Sequence, residues 1–283
     1  MLLLTWNVQY GKGADGAIDL ARIASTARAM GDADVICFQE LAINFPALDK
    51  GAGADQPVLL ARFFPGYAPI FRPSLDFRAD DGRRQFFGNM ILSRLPVLQV
   101  MTHLLPRPAD PGVRSMQRSA LEAVIETRFG PLRIVTTHLE YFSAAHRMAQ
   151  VDRLRDIHDE VCRFAAAPDA PEPPGSTYQA VPRPPSALLC GDFNLEPGWP
   201  EYERMLAPFE PPALGFRDAW PILRAGKPHA PTAGIYDTEQ WANGPNCRDF
   251  VFVTEDLVGR LKRIEVDEKT PASDHQPVLV ELR

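Results

Sequence analysis

A chain of 283 residues with 45% hydrophobic side chains carries ample apolar material for an extensive core, and we expect one domain over 1–283. Its 30 Lys and Arg against 36 Asp and Glu give a formal charge of −6, which argues against the broad basic track that holds duplex nucleic acid. The start MLLLTWN lacks a basic leader region and cleavage site, no run reaches the roughly 18 apolar residues of a membrane span, and the four cysteines have neither disulfide nor zinc-site spacing. A cytoplasmic monomer without a membrane anchor is therefore expected.

In chain order, residues 1 to 40 read as strand, helix, strand. LLLTWNV is apolar, DLARIASTARAM sets Leu20, Ile23, Ala24, Ala27 and Met30 on one helical face, and DVICFQE is a buried strand ending at Glu40. Residues 41 to 85, rich in Pro, Gly and Arg, read mainly as loop. FFGNMILSR and SALEAVIETRF read as antiparallel strands. LRIVTTHLEY is a strand ending near His138, and Ser143 to about Ala165 is a helix with Met148, Val151, Leu154, His158 and Val161 at helical spacing. The seven prolines in PDAPEPPGSTYQAVPRPP exclude helix and central strand, so about 168–185 is expected to be a surface insertion. ALLCGDFN is a second buried strand, and DFVFV and QPVLVEL supply two more. Two strand–helix–strand units with parallel strands bring their polar tips to the same edge.

Those tips carry the chemistry. Glu40 can bind a hard cation such as Mg²⁺, which takes oxygen ligands, and the amide of Asn7 can bind the ion or orient Glu40; alone, either is as well a turn or surface residue. In GDFN, Gly191 permits close backbone approach, Asp192 can orient or deprotonate a water, and Asn194 points to the same side. In SDHQP, Asp274 stands beside His275, and Asp249 of CRDFVFV is a candidate to accept the ring N–H of that imidazole. Carboxylates gathered at one sheet edge repel one another unless a cation sits among them, so the tips point to a divalent-metal site. Residues 72 to 118 hold eight arginines against four aspartates, a stretch that either steers a phosphate-bearing substrate or forms a solvated surface. Trp199, Tyr202, Tyr236 and Trp241 are candidates to stack on bases or to pack loops onto the core.

In this order, TWN, QE, THL, GDFN, the Asp before FVFV and the final SDH resemble the endonuclease/exonuclease/phosphatase superfamily over nearly the whole chain. The resemblance implies an α/β four-layer sandwich, two mixed β-sheets packed face to face with helices on the outer faces. It also implies a hydrolase that cleaves a phosphate ester with Mg²⁺, or alternatively Mn²⁺, by in-line water attack. By the same resemblance Glu40, Asn7 and Asp274 form the metal environment, Asp192 positions the water, Asn194 and His138 contact the phosphate, and Asp249 orients His275. Asp218 in FRDAW and Thr232 in APTAG look like supporting family positions, and Arg118 is a candidate to reach the site. CRDF departs from the family pattern before the Asp, so Arg248 is given no family role. Whether Asp192 or His275 is the base, and whether one ion or two binds, stay open. The substrate is a phosphodiester or a phosphomonoester; an endo- or exonuclease on DNA or RNA is the alternative although net charge does not favour nucleic acid, and a noncatalytic metal-binding scaffold is a further one.

Overall fold

Side chains that alternate between the two faces of paired strands build two sheets that share one apolar interior. A computed structural model describes residues 1–49, 52–167, 172–173, 175–238 and 240–283. Among the described residues the first sheet has the order β11 (Leu261–Val266), β12 (Val278–Leu282), β1 (Leu2–Asn7), β2 (Val35–Ile43), β4 (Arg84–Ser93), β3 (Ala68–Arg78). The second runs β5 (Val97–Leu104), β6 (Ser119–Thr127), β7 (Gly130–His138), β8 (Ala187–Asp192), β10 (Asp249–Thr254), β9 (Phe216–Asp218). In each sheet one pair is parallel, β1 with β2 and β7 with β8, and the other pairs are antiparallel. The sheets are mixed, as the strand–helix–strand units require.

The period of two sorts the side chains. Leu3, Cys37 and Ile91 from the first sheet meet Leu121, Ala123, Leu188, Cys190 and Val251 from the second in the central core. Their neighbours Leu4, Ile36 and Phe38 face outward onto Ile23, Ala24 and Ala27 of α1 (Leu20–Met30), with Leu60 of α2 (Gln56–Ala61) in the same cluster. On the other outer face, Val135, Leu189 and Phe252 pack with Val151 and Leu154 of α3 (Ala144–Ala166) and Met205 of α4 (Pro200–Leu206). The result is the four-layer sandwich. Asp19 and Ser143 start α1 and α3 by accepting the backbone N–H groups of Arg22 and His146, which fixes where each crossover helix begins.

Two expectations need correction. Residues 41 to 85 are not mainly loop: they contain α2 and the eleven-residue strand β3. Pro73 is accommodated because β3 is an edge strand and the pairing with β4 shifts between Pro73 and Leu75. Nor does β2 end at Glu40. It continues to Ile43 after an irregularity between Phe38 and Leu41. Of the Pro-rich stretch, residues 168–171 and 174 lie outside the described residues, and the remainder carries no helix or strand before Ala187. No helix among the described residues is long and apolar enough to cross a membrane.

Candidate active site

Strand register brings three of the expected residues level. Asp192 at the end of β8 is paired with His138 on β7 on one side and with Asp249 on β10 on the other. Directly opposed residues project from the same face, so one carboxylate sits between an imidazole and a second carboxylate. The close approach of β7 and β8 depends on Gly191, whose φ is +133° and where a Cβ would lie 2.0 Å from the carbonyl oxygen of Thr137. In the first sheet Asn7 pairs with Gln39, and the bulge beside it turns Glu40 into the left-handed region at φ +62°. A non-glycine residue held there costs of order 1 kcal/mol or more, and the bulge is what re-aims this carboxylate.

Asn7 joins the two sheets. Its Nδ2 donates to Glu40 Oε1 at 3.0 Å and to Asp192 Oδ2 at 2.9 Å, while its Oδ1 accepts the Gln9 backbone N–H at 3.1 Å. The amide oxygen is thus engaged by the chain. Asn7 orients two acids through its nitrogen. Asp192 Oδ1 accepts the Asn194 backbone N–H at 2.9 Å. Asn194, at φ +51°, donates from Nδ2 to Leu139 O and to His138 Nε2, each at 3.0 Å. One amide hydrogen goes to the Leu139 carbonyl and the other to His138 Nε2, which assigns the imidazole N–H to Nδ1, 3.8 Å from Glu40.

His275 is held from three directions. Its Nδ1–H donates to Asp249 Oδ2 at 2.8 Å, Nε2 lies 3.6 Å from Asp192 Oδ2, and Trp6 Nε1–H donates to its carbonyl at 2.9 Å. Ser273 Oγ–H donates to the Asn7 carbonyl at 2.9 Å, which ties the loop carrying Asp274 to β1. Thr232 fastens the far side: its Oγ1 accepts the N–H groups of Arg248 and Asp249, and its carbonyl accepts that of Gln276. Asp218 stands behind, accepting from Tyr202, His229 and the Trp220 backbone, where it starts α5 (Ala219–Leu223). Thr232 and Asp218 therefore support the site through the backbone of β10 and the loops around it.

Burial and crowding set the charges. Burial, then Asp274, pushes Glu40 up to about 7 although its side chain keeps 20% exposure. Burial, with Asp249 nearby, raises Asp192, and burial followed by Asp192 raises Asp274. Burial opposes charge on His275, but Asp249, Asp192 and Asp274 outweigh it and hold its pKa well above 6.5. His138 is the opposite case: burial, then Arg118 and His275, hold it well below 6.5, so it is neutral. Glu40, Asp192 and Asp274 make an all-oxygen set of crowded carboxylates that fits a hard divalent cation. Ligand atoms of Asp192, Asp249 and His275 also lie within 4.8 Å of one another, but the short Asp249–His275 bond already occupies that end.

Glu40, His138, Asp192, Asn194 and His275 line a cleft of about 620 Å³. The sequence offered Arg118 as a candidate here but assigned no role to Glu140, Tyr10 or Gln39. Arg118 reaches the cleft, 5% exposed, with Nε 3.6 Å from Glu140, and Glu140 is fixed by the backbone N–H groups of Met116 and Phe142. Tyr10, three residues past the TWN run, also lines it. Gln39 stitches the sheets just beneath by donating to Thr5 and Thr136. Of the four candidate stacking aromatics, Tyr202 and Trp241 are buried, and Trp241 packs edge-on against His275 at 5.6 Å. Arg248 lies between Trp199 and Trp241, at 4.9 and 5.3 Å, so its departure from the family pattern serves to clamp the loop beside His275.

The profile of the Endonuclease/Exonuclease/phosphatase family matches residues 4–275. No curated protein sequence matches significantly. Solved structures do. An endonuclease/exonuclease/phosphatase from Beutenbergia cavernae is 23% identical with TM-score 0.65, covering 100% of this chain and 71% of that one. A mannosyl-6-phosphatase from Bacteroides thetaiotaomicron is 18% identical with TM-score 0.66, covering 100% and 99%. A 3′ phosphatase from Neisseria, bound to a product DNA hairpin, is 18% identical with TM-score 0.61, covering 100% and 99%. At these identities the structural likeness establishes the fold, and the profile match establishes the family: the chain belongs to the endonuclease/exonuclease/phosphatase family.

Proposed function

We propose that the chain is a divalent-metal-dependent hydrolase of phosphate esters, with Mg²⁺ or Mn²⁺ as the ion. The observation that carries this reading is the junction of both sheets at Asn7, whose one amide nitrogen holds Glu40 and Asp192 while Asp192 faces His275 and His138. A scaffold would not need a neutral and a charged imidazole on either side of one carboxylate. Glu40 and Asp274 would hold the ion, which when bound supplies positive charge to the phosphoryl oxygens.

The chain's own groups account for the rest. The Nδ1–H of neutral His138 donates to a non-bridging phosphoryl oxygen, and Arg118 adds a fixed positive charge in the same cleft. Asp192 accepts one hydrogen bond from the attacking water and so aims its oxygen at phosphorus. The water oxygen forms the new P–O bond, the ester P–O bond breaks, and the alcohol leaves with a proton. Asp192 takes the proton lost by the attacking water, and charged His275, kept in one orientation by Asp249, gives its Nε2 proton to the leaving oxygen. Asn7, Thr232 and Asp218 position these groups, and Asn194, which lines the cleft, sets His138 beside the phosphate.

The test compares bis-p-nitrophenyl phosphate, p-nitrophenyl phosphate, plasmid DNA, abasic-site duplex, RNA, phosphoinositides and sphingomyelin with Mg²⁺, Mn²⁺ or EDTA. Turnover of at least one ester with either ion and none in EDTA is expected. Tight Mg²⁺ binding without turnover of any ester would instead indicate the scaffold. Nicking of plasmid would identify a nuclease.

A further inference from the structure

The cleft is chemically divided. One end carries the residues described above; away from them its lining is apolar, with Phe45 and Leu48 after β2, Leu75 on β3 and Phe87 on β4. Leu75 and Phe87 are cross-strand partners, and Phe45 stands edge-on to both Phe87, at 6.2 Å, and Phe77, at 6.3 Å, so these side chains form one surface. Phe142 lines the same cleft and is 47% exposed, while Phe87 at its floor is 8% exposed and Phe77, beside Phe45, is 47% exposed. Soluble proteins expose contiguous aromatic surface beside a polar site where a ligand covers it.

Charge argues for the kind of ligand. Arg83 and Arg84 are tied to Asp81 and Asp76, and Arg94 is tied to Asp32 and Asp34. Arg114 and Arg118 are the two arginines of 72–118 that line the cleft, and the guanidinium of Arg114 lies 4.2 Å over the Phe142 ring. A polynucleotide gains its affinity from a succession of phosphate contacts, which two guanidinium groups do not supply.

Resting on the hydrolase reading, we propose that the substrate is a small phosphate ester whose organic group is apolar. That group is seated on the Phe45–Leu75–Phe87 surface while the phosphate occupies the Glu40–Asp192–His275 end. Burial of each added methylene then tightens binding of ground state and transition state alike and so lowers KM.

Calorimetric titration of the full chain with non-hydrolysable n-alkylphosphonates from methyl to octyl, in Mg²⁺, tests the apolar subsite without needing turnover. The Kd is expected to fall roughly two- to fourfold per methylene, and kcat/KM for the matching n-alkyl phosphates to rise in parallel through KM. Leu75→Asn, at a half-exposed edge-strand position, and Phe142→Ser, at an exposed one, should each flatten that slope. A Kd independent of chain length, an absence of phosphonate binding, or a 3′-phosphorylated oligonucleotide binding more tightly than octylphosphonate would overturn the inference. Chain-length-dependent phosphonate binding without hydrolysis of any ester would uphold the subsite and remove the hydrolase reading alone.

Discussion

Glu40 is where strain and charge meet in one residue. Its left-handed backbone turns the carboxylate out of the strand, and burial beside Asp274 holds its proton up to about pH 7. A cation must displace that proton, so Mg²⁺ affinity should fall as pH drops below about 7, with proton release on binding in that range. Titrations in two buffers of different ionisation enthalpy measure the release directly, and Glu40→Gln should reduce it. The sign follows from the raised pKa: below it the site is protonated and competes with the ion, above it the site is free. The residues whose role was legible in sequence are those at the tips of apolar runs, such as Asp192 and His275. Arg118 with Glu140, and Trp241 against His275, were not legible as pairs because their contacts join segments far apart in sequence.

Among the elements, the β7–β8 seam is the tightest constraint on the site. Gly191→Ala would force a Cβ into the Thr137 carbonyl at an unfavourable φ, separating the strands that set Asp192 level with His138. A loss on the order of 3 kcal/mol in denaturant unfolding is expected, with activity lost ahead of the fold. Unchanged stability would show that the seam can relax. The strands that sequence did not reveal are β3, β5, β9 and β11, the four edges of the two sheets. The interior strands β1, β2, β7, β8, β10 and β12 were readable as apolar runs because both of their faces are covered. An edge strand is half wetted, tolerates Pro73 in β3, and loses that signature.

For the whole molecule, a second buried polar cluster lies between β6, β7 and α3. Glu122 accepts from Arg183 at 2.7 Å and lies 3.1 Å from His103, while Arg133 donates to His158 Nδ1 at 2.6 Å and to the Pro184 carbonyl, securing the end of the Pro-rich stretch. Burial, then Arg133, lowers His158 to about 4. Unfolding returns the imidazole to its ordinary value of 6.5, so between pH 6.5 and about 4 the unfolded chain binds the additional proton and stability falls as pH falls. For Glu122, burial is outweighed by His103 and Arg183, which hold it at about 2; its contribution is present above 4.5 and is lost between there and about 2. Between pH 7 and 4 the wild type should lose unfolding free energy relative to His158→Gln by an amount on the order of 3 kcal/mol, read from denaturant curves of both proteins at each pH.

The account as a whole turns on whether the acids and imidazoles at the Asn7 junction act together on a phosphate ester. Initial rates on the best substrate, measured in Mg²⁺ for the wild type, Asp192→Asn and His275→Ala, with folding checked by circular dichroism, decide it. We predict a loss of at least ~100-fold in each folded variant. Wild-type rates in both would contradict the assignment of this junction as the active centre.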